Sequence, residues 1–257
     1  MSYSKVVALI AALCVSVSIL PAQTASPNPP KAKNKKEGDA INAMYTAQGP
    51  DAQLAAAQSL ITSFADTEFK GSAFFVMAMA SDAKRDQVNV MVYGEQAIAA
   101  DPLNFGAMAL MAKALGQSTK KYDLDKAEKT ARLQKLAADA IELSKKAVKP
   151  NASVPDEQWA AVVKDMIEPA YEGLAYSAQA DQKYAECAAN FKLAIEAAQM
   201  PEPANMVYTA RCYGKAKDYD GAIAMYDRAI NDPRSMDVIK QIATQEKLQV
   251  LQTKGAK

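Results

Sequence analysis

The sequence predicts an all-α protein built as a row of stacked helix pairs. Of the 257 residues 50% are hydrophobic but only 7% aromatic, and much of the apolar share is alanine, which favours helices and lets their backbones approach closely. Strand-like alternation with β-branched enrichment is hard to find. Apolar stripes at helical spacing come in pairs joined by short polar turns, and their small residues recur at a near-constant interval. Ala78 and Ala112 are 34 residues apart, and Ala175 and Ala210 are 35 apart. A helix pair of that size cannot bury its faces alone, so each pair implies neighbours. The chain is long enough to give such a row a sizeable core.

The first residues carry different information. Lys5 precedes an apolar run from Val6 to Leu20, and Pro21-Ala22-Gln23 offers a cleavage region with Ala22 as the last leader residue. This is the layout of a secretory signal peptide, and the run is shorter than the roughly 20 residues a membrane-spanning helix needs. Residues 1–22 are therefore expected to be a leader, and the protein to be exported, periplasmic or secreted, without membrane insertion. Residues 23–38, rich in proline and lysine, read as a flexible linker.

Composition excludes several functions. Removal of the leader takes away Lys5 and no acid, leaving 29 side chains of each sign, so a net basic footprint for nucleic acid is absent. The chain contains no histidine. Ser-His-Asp, Cys-His and His-zinc chemistries are thereby ruled out, and no glycine-rich phosphate loop is present. No enzyme activity, cofactor or metal is expected. Twelve methionines fall mostly on core faces, where gap-filling explains them.

The stack is expected over 39–254. Ala40, Ala43, Met44 and Ala47 form one short face, and Pro50 opens a second helix striped by Leu54, Ala57, Leu60, Ile61 and Phe64. This pair, about 39–70, reads as a degenerate cap. The next, 71–104, carries Phe74, Met77, Ala78 and Ser81, then Val90, Ala97 and Ile98, and closes on Asp101-Pro102. Met108, Met111, Ala112 and Leu115 begin the third, 105–150. There the spacing stretches, and an inserted helical extension absorbs the excess. A long helix from about Asp123 to Lys149 is predicted, then another from Pro155 to Glu168 around Trp159, with Pro169 kinking or breaking the chain. Tyr171, Leu174, Ala175 and Ala178 restore the register in 168–202, whose second helix carries Cys187, Phe191, Ala194 and Ile195. A helix over 235–253, with Ile239, Ile242, Ala243 and Val250 on one face, caps the end.

The stretch from Asn205 to Pro233, within the pair 203–233, is the most regular. Met206, Ala210, Ala222, Tyr226, Ala229 and Pro233 stand where a tetratricopeptide repeat (TPR) has its large, small, small, aromatic, alanine and proline residues, the proline one place early. The sequence resembles that family. The resemblance implies a TPR-type α-solenoid, a right-handed superhelix whose first helices line a concave groove that takes a protein or peptide. Carried onto this chain, the groove positions are Phe75, Met79, Ala109, Lys113, Glu172, Tyr176, Val207, Arg211 and Lys215. The lysine and asparagine with which one TPR subclass grips chaperone tails are matched by none of them.

The function expected is thus a non-catalytic scaffold for a protein or peptide partner in the cell envelope. The alternative is a structural envelope component that self-associates and leaves the groove empty. Cys187 and Cys212 fall in neighbouring repeats, so a disulfide is open to them in an oxidising compartment. Two separate buried thiols are the commoner outcome for such a pair.

Overall fold

A computed structural model of the chain describes residues 24–28, 30–149 and 154–256. The expected leader and its cleavage point lie outside the described residues. Those residues form eleven helices and no strand: α1 (Lys35–Thr46), α2 (Pro50–Ser63), α3 (Lys70–Ala83), α4 (Gln87–Ala100), α5 (Phe105–Ser118), α6 (Lys126–Ser144), α7 (Asp156–Ala180), α8 (Tyr184–Ala197), α9 (Pro203–Lys215), α10 (Tyr219–Asn231) and α11 (Asp237–Gly255). Each helix packs on the next, and first helices of successive pairs also touch, as α3 does α5 and α5 does α7. This is the consecutive packing of an α-solenoid. The core accordingly runs as a row of clusters. Met44, Leu60 and Val76 fill the first, Phe75, Val90 and Leu110 the next, and Phe105, Ala112, Leu133 and Ile167 the middle. Phe191 with Ala175, then Met206 with Tyr226, continue it to the C-terminal end.

Local chemistry starts and stops the helices. Asn34, Asp86, Asn104 and Asp218 each accept a hydrogen bond from a backbone N–H in the first turn of the helix they precede. Pro50 and Pro203 occupy first-turn positions where a missing N–H costs nothing. One turn is used three times. Between α3 and α4, α7 and α8, and α9 and α10, the middle residue of the connection is left-handed: Arg85 at φ 60°, Gln182 at 61° and Lys217 at 67°. The N–H that follows returns to a carbonyl five residues back, Asp86 to Ser81, Lys183 to Ala178 and Asp218 to Tyr213, each at 2.9 Å. This pattern satisfies carbonyls that a helix end leaves free.

Several boundaries differ from the sequence reading. The linker expected over 23–38 is partly helical and partly docked. Its helix starts at Lys35 because Asn34 caps it and Glu37, buried, accepts the Lys33 N–H at 2.6 Å. Further back, Ala25 donates to the Leu103 carbonyl at 3.1 Å, and Lys33 pairs with Asp66 at 2.5 Å. The predicted long helix is shorter: α6 begins at Lys126 and ends at Ser144. The predicted break at Pro169 does not occur, since α7 runs through it as one 25-residue helix. The helix packs on α5, α6 and α8, and tertiary packing here overrides local propensity. The extra residues lie in α6, the connections beside it and the first half of α7.

Candidate functional site

Two adjoining cavities open at the C-terminal half of the stack, of about 610 and 400 Å³. Both include Lys121 and Gln179 in their lining, so they form one trough. The smaller lies between the α5–α6 connection, the end of α7 and Tyr208 of α9. The larger runs on between α9, α10 and α11, past Arg211, Lys215, Tyr226 and Glu246.

The floor is aromatic. Tyr176 meets Phe191 edge-on, ring centroids 5.1 Å apart, and Tyr208 lies over Phe191 at 5.8 Å and 23°. Tyr176 and Tyr208 are 6.0 Å apart. The Arg211 guanidinium stands 5.5 Å from the Tyr208 ring, within cation–π range. A disulfide joins Cys187 to Cys212, with Cα atoms 5.8 Å apart, and ties α8 to α9 directly beneath this surface. The bridge takes the place of the two separate thiols that sequence statistics favour, because both cysteines face the same α8–α9 seam.

Glu246 organises the far wall. Arg211 grips it in a fork, Nε to Oε2 at 2.8 Å and Nη2 to Oε1 at 2.7 Å, and the Tyr226 hydroxyl donates to Oε2 at 2.8 Å. Burial pushes the Glu246 carboxyl up, but the bonds from Arg211 and Tyr226 outweigh it and hold it below its ordinary range. Burial, then the hydrogen bond to Glu246, raises the Tyr226 phenol, which stays protonated.

A second polar group lies behind the trough. Lys113 of α5 sits between Asp82 of α3 and Glu172 of α7, 3.1 Å from each. Glu172 is 4% exposed; Asn205 of α9 donates to its Oε1, and Oε2 has only the Lys113 charge as partner. Burial works against the Lys113 cation, but Glu172, Asp82 and Glu168 together raise its pKa. Glu168, one turn before Glu172, is pushed up to about 9 by burial and then by the Glu172 charge. It is therefore protonated near neutrality. This cluster links four first helices and lines neither cavity.

Of the groove positions carried over from the sequence, Tyr176, Arg211 and Lys215 line the trough. Phe75, Ala109 and Val207 are instead buried in the core, and Met79 is partly buried against two of its clusters. Lys113 and Glu172 are consumed by the ion pair just described. The reason is a close approach in mid-stack. A Cβ on Gly173 would come within 2.5 Å of the Ala112 carbonyl oxygen, and one on Gly116 within 2.7 Å of the Gly173 oxygen. Backbones that near close the seam between α5 and α7 up to Gly116, where the smaller cavity begins.

Sequence reasoning missed Tyr208, Tyr226, Glu246, Lys120 and Lys121. A signal for Glu246 was present: it follows Arg211 by 35 residues, about one repeat. Among the described residues no cluster of three metal-ligating side chains occurs, and no helix is long and apolar enough to cross a membrane. No protein-family model matches the chain, and no curated protein does.

Proposed function

We propose that the chain is a TPR-type α-solenoid that works as a non-catalytic scaffold, holding a protein or peptide partner in the trough between α7 and α11. The observation that carries this reading is the aromatic floor of Tyr176 and Tyr208, with a disulfide beneath it, beside the Arg211–Glu246 fork in an open trough. Tyrosine and arginine dominate the energetics of protein contact surfaces, and a rigid surface loses little entropy on binding. The three identical turns and the residue pattern of α9 and α10 support the TPR assignment. Export to the cell envelope is supported by the leader-like first residues and by a disulfide, which persists in oxidising compartments.

A pull-down from an envelope extract tests the reading. A heterologous protein should be captured by the wild type and lost on Tyr176→Ala, with the fold verified by circular dichroism. A second reading, self-association, rests on apolar side chains left open on α11: Val238, Leu248 and Leu251 are 52%, 55% and 42% exposed. Oligomers that survive Tyr176→Ala but dissolve on Leu248→Glu would replace the scaffold reading with this one.

A further inference from the structure

The trough carries an unbalanced charge. Its lining contains four cations, Lys120, Lys121, Arg211 and Lys215, and one carboxylate, Glu246. Arg211 and Glu246 neutralise each other in their fork. The acids close by are also engaged. Asp181 pairs with Lys126 at 2.5 Å, Asp218 caps α10, and Asp220 pairs with Lys254. The three lysines are left over. The Lys120 ammonium donates to the Gln117 carbonyl and stands near Asp123, which accepts the Lys120 N–H at 2.9 Å and pairs with Lys129; Lys121 overhangs the exposed Tyr122 ring, and Lys215 forms no ion pair among the described residues. All three are exposed, Lys120 and Lys121 on one wall and Lys215 on the other.

Between them the lining is amide and phenol. Gln179, Gln182 and Gln249 are exposed in the larger cavity, and an amide side chain both donates to and accepts from an extended backbone. Lysine on two walls, with amides between, suits a polymer whose negative charges recur along its length.

We infer that the partner enters the trough as an acidic polypeptide segment, its carboxylates met by Lys120 and Lys121 on one side and Lys215 on the other. This rests on the scaffold reading above and names the chemistry of what the scaffold holds. The carboxylates gain three cations that form no ion pair among the described residues.

Selection from a displayed library of random peptides of about twelve residues, long enough in extended form to cross both cavities, tests the inference. The purified protein is compared with its Lys121→Glu/Lys215→Glu variant, whose changes fall on exposed side chains and whose fold is checked by circular dichroism. Peptides rich in Asp and Glu should be enriched on the wild type. Their affinity, read by fluorescence anisotropy, should fall on the order of tenfold in the variant and by a similar factor between ~0.05 and ~0.5 M salt. Enrichment of neutral or basic peptides, weakened by Tyr208→Ala, would overturn the acidic preference and leave the scaffold intact. Acidic peptides indifferent to the charge reversal bind elsewhere and overturn the inference. Displacement of the selected peptides by oligogalacturonate but not by polyglutamate would make the ligand a carbohydrate. No enrichment on either protein would sink both the inference and the scaffold reading.

Discussion

Lys113 in α5 and Arg211 in α9 stand in the same place in their helix pairs, each directly after the small residue that recurs along the chain, Ala112 and Ala210. Lys113 is sealed between Asp82 and Glu172, two acids on the helices either side. Arg211 is 39% exposed and holds one acid at the edge of open space. The difference is set by what separates successive first helices. Gly116 and Gly173 let α5 and α7 meet backbone to backbone, whereas Tyr176 and Tyr208 stand between α7 and α9. Glycine therefore closes the stack at α5 and α7 into a charge-stitched body, and tyrosine keeps the C-terminal end open.

The largest expected effect follows from this contrast. Lys113→Met strands Asp82 and Glu172 without a cation and should cost about 3–5 kcal/mol in urea unfolding at neutral pH. Arg211→Met removes a partly exposed pair and should cost no more than about 1 kcal/mol. Equal losses would mean the two ends are not differently built.

A smaller effect separates the ends by pH. Glu168 titrates at about 9 in the folded chain, raised by burial and by Glu172, against an ordinary value near 4.3. Between those limits the folded state binds the proton and the unfolded state does not, so stability falls as pH rises from about 5 towards 9. Glu246, held low by Arg211 and Tyr226, has the opposite sign: its contribution is lost only as pH drops through the acid range. Glu168→Gln mimics the protonated acid. It should remove this fall, so that the variant gains on the wild type steadily as the pH rises from 5 to 8. A wild-type stability flat across that range would place Glu168 in water.

The two ends were also unequally legible in the sequence. The helix pairs show because alanine, methionine and tyrosine repeat at helical spacing, a signal independent of how the pairs meet. Distance between pairs does not show. Nothing in the pattern around Gly116 and Gly173 announces that α5 and α7 touch, so Ala109 and Glu172 read as groove residues and are buried. Pro169 misled for a related reason, because packing against three helices decides whether a proline ends a helix. Polar partners were more readable than they seemed. Lys113 follows Asp82 by 31 residues, Asn205 follows Glu172 by 33 and Glu246 follows Arg211 by 35. Each bond joins one helix pair to the next at nearly the interval of the apolar repeat. Pairs of complementary polar residues at that spacing would have located Glu246 on the trough wall.

The turns offer the finest comparison, because there the ends should agree. Arg85 belongs to the closed end and Lys217 to the open one, yet both are left-handed with the same returning hydrogen bond. A side chain in that conformation costs ~1–2 kcal/mol, whereas glycine adopts it freely and loses ~0.5–1 kcal/mol of entropy on folding. Arg85→Gly and Lys217→Gly should each stabilise by about 0.5–1 kcal/mol, read as a higher urea midpoint with unchanged slope. Both side chains are exposed, so packing does not complicate the exchange. Equal gains would assign the contrast between the ends to the helix seams alone. A gain at Arg85 with a loss at Lys217 would show the open end strained into its turn, and the tyrosines would then no longer account for the trough by themselves.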